Sequence, residues 1–142
     1  MAKRNTSLRL PDDLRVGLAE AAERQGTSIS ALLERHAHEG LAGDAHPGIV
    51  TKPGPSGRRA ALAGGPDVWE VIATLQATSG SEVERVRTVA DQLGLHPRQV
   101  AIALGYAAEH PEEVSQRIAD NERALQQAER AAAARAQLLD TA

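Results

Sequence analysis

The sequence contains no cysteine and no phenylalanine, and Trp69 and Tyr106 are its only aromatic residues. The absence of cysteine excludes a disulfide framework, a thiolate metal site and a cysteine nucleophile. No apolar run approaches the roughly 20 residues that span a bilayer, and the basic N-terminus lacks the apolar stretch of a signal peptide. We therefore expect a cytoplasmic protein without membrane contact. Its thin core of alanine and leucine is of the kind that often needs a partner chain to bury enough surface.

A strong excess of one charge is also missing, because the 142 residues carry a formal net charge of only −3. This balance excludes a basic surface over the whole molecule and a long acidic tail. The first eleven residues are an exception, since they carry Lys3, Arg4 and Arg9 and no acidic residue. The charge is therefore uneven, with a short basic segment at the N-terminus.

Within this basic segment, residues 4–10 alternate polar and apolar side chains, which is typical of a short β-strand. A lone strand leaves its backbone groups unpaired, and most of the remaining sequence has helical spacing. The simplest partner is the same strand of a second chain, paired antiparallel across a two-fold axis. In such a ribbon Leu8 and Leu10 face the helices, whereas the solvent face carries Lys3, Asn5, Ser7 and Arg9.

A two-stranded ribbon fits the major groove of DNA, and the outward side chains of this ribbon suit base edges. Arg9 can hold guanine through two hydrogen bonds, Asn5 can pair with adenine, and Ser7 can donate or accept. The alternative is an edge strand in some sheet, which needs a partner strand that the helical remainder does not obviously supply.

Two helices are expected after the strand. The first begins after Pro11 and ends at Gly26. Thr27 or Ser28 caps the second, which ends near Gly40. Backbone N–H groups and the positive end of the helix dipole make the start of this second helix suitable for a phosphate, although an ordinary helix cap explains the same residues.

The series of strand, helix, "GTSISALL" and helix resembles the ribbon-helix-helix (Arc/MetJ/CopG-like) repressors, which include many bacterial antitoxins. The resemblance covers about residues 3–40. It implies a homodimer formed through the N-terminal strand, with base contacts from the strand and phosphate contacts at the start of the second helix. The residues expected to contact operator DNA are Lys3, Asn5, Ser7, Arg9, Thr27 and Ser28.

The rest of the chain predicts a second, helical domain. Glycine and proline dominate residues 41–57, which predicts a linker or irregular segment, although residues 48–51 and 58–65 could pair as a hairpin. Further helices are expected over about 66–78, 82–92, 96–109 and 111–139. The fold class is therefore mainly α. A ribbon-helix-helix domain for DNA binding and dimerisation (1–40) precedes a helical domain (58–142) with a helix-turn-helix-like pair and a long terminal helix.

Residues 89–104, "VADQLGLHPRQVAIAL", have the residue spacing of a helix-turn-helix. Ala90 allows close helix contact, Gly94 allows a left-handed turn, and Val100 follows as a buried aliphatic residue. One interpretation is a second DNA reader. The second helix, however, has one arginine, one glutamine and no lysine to neutralise phosphates. This favours a packed helical hairpin or a protein-binding role.

A second resemblance involves "HPGI" (46–49), a Gly57-Arg58 step and "VAIALGYAAEHPEEV" (100–114). Together they look like the small C-terminal domain of VapB-type antitoxins, over about residues 46–118. The residues after "HPGI" and residues 66–85 depart from the usual spacing. The resemblance implies a partner encoded beside this chain, a toxin ribonuclease with a PIN-like fold.

Such a ribonuclease gathers carboxylates around Mg²⁺ or Mn²⁺, so an inhibitor can supply cations to its acidic site. The last helix carries candidates on an alanine-rich scaffold with a weak heptad pattern through Ile118, Leu125, Ala132 and Leu139. The arginines expected to contact the toxin are Arg117, Arg123, Arg130 and Arg135. The alternative is a solvated helix with local ion pairs from residues such as Glu122 and Glu129.

The histidines do not predict a metal site, because His46, His96 and His110 are scattered beside prolines and no cysteine accompanies them. No catalytic triad, phosphate-binding glycine loop or dinucleotide fingerprint is visible, so we expect neither an enzyme nor a cofactor. The expected function is an antitoxin that inhibits a PIN-like ribonuclease and represses its own operon. Two alternatives are a ribbon-helix-helix transcriptional regulator, whose C-terminal domain binds an effector or dimerises, and an adaptor protein without a DNA role.

Overall fold

The structure is a computed structural model that describes residues 2–140 of a mainly helical chain. It divides into two compact units, an N-terminal unit that ends at Asp44 and a C-terminal unit that begins at Ala45. The elements, in chain order, are α1 (Asp12–Gln25), α2 (Ile29–Ala45), β1 (Ile49–Lys52), β2 (Arg59–Leu62), α3 (Val68–Ala77), α4 (Glu82–Leu93), α5 (Pro97–Glu109) and α6 (Pro111–Asp140). None of the described helices is both long and apolar enough to cross a membrane.

The turn between α1 and α2 follows from a glycine and a serine. Gly26 adopts a left-handed conformation with φ 64° and ends α1, which costs a glycine little because it has no Cβ. The backbone N–H of Thr27 then donates to the carbonyl of Ala22 over 3.0 Å. The hydroxyl of Ser28 accepts from the backbone N–H of Ala31 over 3.1 Å. The predicted end of the first helix and the predicted serine cap are therefore confirmed.

Helix α2 continues to Ala45 and does not end near Gly40. A glycine inside a helix costs only about 1 kcal/mol relative to alanine, so it weakens a helix without ending it. The helix ends instead just before His46, because the residue that precedes a proline is disfavoured in helical geometry and Pro47 follows here. The first residues of the expected linker are thus helical.

Residues 2–11 lie in neither a helix nor a strand in the single chain. Leu10 packs against the small core of the N-terminal unit, which consists of Leu18, Ala22 and Leu32. Leu8, by contrast, is 69% exposed. Of the two leucines expected to face the helices, Leu10 therefore does so and Leu8 does not in the single chain. The strand pairing between two chains stays a prediction.

The C-terminal unit begins with the β-hairpin that the sequence suggested. Strands β1 and β2 pair antiparallel, with Ile49 opposite Leu62 and Lys52 opposite Arg59. The hairpin is therefore confirmed, although it places part of the expected irregular segment in a strand. β-branched residues such as Ile49 and Thr51 favour the strand despite the surrounding glycines and prolines.

Helices α3 and α5 pack against this hairpin, and α4 and α6 pack against those two helices to build the larger core. The buried members of that core are mostly valine, leucine and alanine, together with Tyr106. Helices α4 and α5 meet at Gly94, which adopts a left-handed φ of 65°. Ala90 and Val100 are buried at 1% and 0% exposure, so the helix pair packs into the core as a helical hairpin.

Helix α6 belongs to this core only at its beginning. Val114 is buried and Ile118 packs against the core. Every residue from 122 to 140 is exposed, including Leu125 at 56% and Leu139 at 79%. The second half of α6, defined here as the arm (residues 122–140), therefore leaves its heptad positions uncovered in a single chain.

Candidate nucleic-acid and partner interfaces

The N-terminal segment carries the expected DNA-contacting side chains at the surface. Asn5, Ser7 and Arg9 are all exposed. Lys3 instead forms an ion pair with Glu34 of α2, with 3.0 Å between Nζ and Oε2. Because both side chains are largely exposed, such a pair contributes little free energy and a phosphate can compete for the lysine. The structure thus brings Lys3 close to α2 and leaves the other three accessible.

This segment also borders a groove whose floor is partly apolar. Leu8, Leu33 and Ala37 contribute apolar surface, and Asn5 and Glu34 contribute polar edges. Further large apolar side chains of the N-terminal unit are also exposed, namely Leu14, Val16 and Leu41. Several large apolar side chains of the N-terminal unit are therefore exposed in a single chain.

The expected phosphate site at the start of α2 is partly occupied by helix capping. The Ser28 hydroxyl already accepts from the backbone N–H of Ala31, and Thr27 is half-buried. A phosphate there would be held by backbone N–H groups and the positive end of the helix dipole. Ser28 thus orders the helix start, in addition to any direct contact it makes.

The first of the four α6 arginines is engaged within the C-terminal unit. The guanidinium of Arg117 donates to the carbonyl and hydroxyl oxygens of Ser56, both over 3.0 Å, and to the carbonyl of Arg58 over 2.7 Å. These bonds tie α6 to the loop between β1 and β2. Arg117 therefore has a structural role that its spacing on the helix did not reveal.

The remaining three arginines lie farther along the helix. Arg123 is paired with Asp120. A hydrogen bond from Gln116, and then one from Arg123, lowers the pKa of the Asp120 carboxyl. Arg130 and Arg135 are exposed on the arm. The structure thus does not gather the four arginines into one site, and three of them, Arg123, Arg130 and Arg135, lie on the arm.

A cluster that was not expected from the sequence lies where α5 ends. His46 Nε2 is 3.0 Å from Glu109 Oε2, and the His46 side chain is only 11% exposed. The His110 ring stacks on Tyr106 with 4.3 Å between ring centroids. The His46 ring meets Tyr106 edge-on at 5.0 Å. Two histidines that looked scattered in the sequence are therefore neighbours in space.

Tyr106 packs against both histidines of this cluster. Its hydroxyl donates to Glu113 Oε2 over 2.8 Å. Burial, and then the Glu113 carboxylate, raises the pKa of Tyr106 well above its usual value. The phenol therefore stays protonated and acts as a hydrogen-bond donor. The sequence signal for the cluster was the His-Pro dipeptide, which occurs at His46 and His110 and also at His96, outside the cluster.

Comparisons of the chain with protein-family models, with curated proteins and with solved structures find no match in any of the three.

Proposed function

We propose that this chain is an antitoxin that acts as a homodimer. In this proposal the N-terminal unit binds operator DNA, and the C-terminal unit binds and inhibits a PIN-like ribonuclease. The observation that carries the proposal concerns the described residues of the N-terminal unit, of which three apolar ones are buried and several large apolar ones are exposed.

The small core argues for a second chain. A unit of this size seldom buries enough apolar surface to be stable alone, and oligomerisation is a common remedy. The segment 4–10 has the alternation of a strand, and a strand needs a partner for its backbone groups. Pairing two copies of the segment satisfies those groups and covers the exposed Leu8 and neighbouring apolar side chains together.

DNA is the ligand that best fits the outer face of the resulting ribbon. The segment carries positive charge without acidic residues, and Asn5, Ser7 and Arg9 are accessible. These side chains can read base edges in the major groove, where a two-stranded ribbon fits. The resemblance of residues 3–40 to ribbon-helix-helix repressors points to the same ligand.

The arm supports the partner-binding half of the proposal. It continues an alanine-rich helix away from the core, and its leucines are uncovered. Arg130 and Arg135 are exposed on it and complement the acidic metal site of a ribonuclease. The resemblance of residues 46–118 to VapB-type antitoxins implies a PIN-like ribonuclease as the partner.

The partner is tested by co-expressing the chain with the product of the neighbouring gene, followed by pull-down and an RNA-cleavage assay. We expect a stable complex with suppressed cleavage. The double variant Arg130→Glu/Arg135→Glu should weaken inhibition at least about tenfold, because it places like charges against the acidic site. The matched control Gln126→Glu/Gln127→Glu adds negative charge to the same helix and keeps the arginines. No binding, or binding without loss of cleavage, contradicts the proposal.

The DNA half is tested by gel shift with DNA from upstream of the chain's own gene. Arg9→Ala should reduce specific affinity about tenfold to hundredfold, while the dimer persists. Arg15→Ala is the matched control, because Arg15 lies on α1 beside Asp12, at 3.9 Å, and outside the proposed ribbon. Equal affinity of Arg9→Ala and wild type contradicts the ribbon assignment.

The uncovered heptad positions of the arm favour a second candidate function, a transcriptional regulator whose C-terminal unit dimerises. Leu125 and Leu139 would then pack against the same helix of a second chain. Truncation after Asn121 separates the two functions. It abolishes ribonuclease inhibition in the antitoxin, whereas in the regulator it weakens dimerisation and no ribonuclease partner exists.

A further inference from the structure

We propose that His46, Glu109 and His110 bind one divalent transition-metal ion, for which Zn²⁺ is the best fit. One ligand atom from each of the three side chains lies within 4.8 Å of the other two. The proposal concerns the C-terminal unit alone and goes beyond the proposed antitoxin function.

The chemistry of the three side chains selects the type of ion. Imidazole nitrogens suit Zn²⁺ and its neighbours in the first transition series, whereas Ca²⁺ and Mg²⁺ prefer sites made of oxygen. Metal–ligand distances at a four-coordinate zinc are about 2.0–2.2 Å, which places ligand atoms roughly 3.5 Å apart. The His46–Glu109 distance of 3.0 Å is already close to that value. His110 needs only a small side-chain movement to join them.

The surrounding structure orders the ligands before a metal arrives. The His46 side chain is largely buried and held edge-on by Tyr106. His110 is fixed at the end of α5, where its backbone N–H donates to the Tyr106 carbonyl over 3.0 Å and its ring stacks on the Tyr106 ring. Ligands that neighbouring groups orient in this way bind metals more tightly than mobile ones.

Glu113 lies next to both Tyr106 and His110. Its Oε2 accepts the Tyr106 hydroxyl and lies 4.0 Å from His110 Nδ1, a distance too long for a direct hydrogen bond. Glu113 therefore acts through Tyr106, whose ring packs against both histidines, and it is a positioning residue in this proposal and not a ligand.

The bound ion would cross-link two segments of the C-terminal unit. It would join the loop between α2 and β1 to the end of α5, two segments far apart in the sequence. Because metal binding stabilises the state that holds the assembled site, it raises the stability of the folded unit. Three protein ligands leave the fourth position for water, and no reaction is required of it.

The test uses the full-length protein without an affinity tag, stripped of metal with a chelator. We expect titration calorimetry to show one Zn²⁺ per chain. Co²⁺ should give the visible absorption of a four-coordinate site, and Zn²⁺ should raise the melting temperature. Mg²⁺ should do neither. A wild-type chain that binds no Zn²⁺ overturns the proposal.

Three variants assign the site to its residues. Glu109→Gln and His110→Gln should each weaken Zn²⁺ binding more than tenfold and remove the Zn²⁺-dependent rise in melting temperature. Glu109 is largely exposed, at 68% of its side chain, so its variant retains the fold. His38→Gln is the matched control, because His38 is an exposed histidine of the N-terminal unit, and it should bind like wild type. Equal affinity of Glu109→Gln, His110→Gln and wild type overturns the assignment.

Discussion

The N-terminal unit and the C-terminal unit differ in how much apolar surface each buries within one chain. The C-terminal unit encloses a continuous core of valine, leucine and alanine around Tyr106. Among the described residues of the N-terminal unit, the buried core consists of Leu18, Ala22 and Leu32, whereas Leu8 and Leu41 are each 69% exposed. The C-terminal unit thus buries most of its large apolar side chains within one chain, whereas the N-terminal unit leaves apolar surface that the proposed dimer would cover.

The difference also separates the two kinds of recognition that we propose. In this proposal the N-terminal unit forms a DNA-reading ribbon only when two chains meet, so dimerisation and DNA binding would be linked. The C-terminal unit would present its arm to a partner from each chain separately. Changes that affect one unit should therefore leave the activity of the other intact.

The largest expected effect is on the stability of the C-terminal unit, whose core is closed within one chain. Leu62→Ala should lower the free energy of unfolding by about 2–5 kcal/mol, because Leu62 is 1% exposed and its removal leaves a cavity. Urea denaturation measures this value, and we expect it to be independent of protein concentration. Leu139→Ala, at an exposed position of the arm, is the control and should change stability by less than about 0.5 kcal/mol. A small effect of Leu62→Ala would mean that this unit is not self-sufficient.

An intermediate effect is expected at the contact between α6 and the hairpin loop. Arg117→Ala should lower the free energy of unfolding by about 1–3 kcal/mol, since it removes a charged donor from the oxygens of Ser56 and Arg58. Thermal unfolding followed by circular dichroism measures the loss. Arg130→Ala, on the arm, serves as the control and should leave the melting temperature unchanged. If both variants melt alike, Arg117 has no role in holding the hairpin.

The smallest effect is expected at the cap of α2. Ser28→Ala should destabilise the N-terminal unit by about 1 kcal/mol, because the backbone N–H of Ala31 loses its acceptor. Amide hydrogen exchange resolves this change, which should be confined to residues of the N-terminal unit. Ser30→Ala, two residues further along and inside α2, is the control variant. Loss of protection in α3 or α5 would contradict the independence of the two units.

Local features of the fold could be predicted from the sequence because they depend on neighbouring residues. Gly26 and Gly94 ended their helices as expected, and the hairpin formed where β-branched residues met a second apolar run. The predicted end of α2 near Gly40 is wrong, because a glycine only weakens a helix, whereas Pro47 disfavours helical geometry at the residue before it.

Features of the candidate sites that depend on distant contacts could not be predicted. The approach of His46 to Glu109 and His110, and the bonds of Arg117 to the hairpin loop, arise only when the C-terminal core brings remote segments together. The exposure of Leu8 likewise depends on whether a second chain is present. Residue spacing carries none of this information, whereas buried contacts and distances do.

Sedimentation equilibrium over a dilution series measures whether the chain forms a dimer through residues 4–10. We expect twice the chain mass for the wild type and for the chain truncated after Asn121. We expect the single-chain mass for Ser7→Pro, because proline removes a backbone donor from the paired strand, whereas Ala2→Pro should remain dimeric. A wild-type chain that stays at the single-chain mass at every concentration, or a Ser7→Pro variant that dimerises as well as wild type, would contradict the proposed dimer.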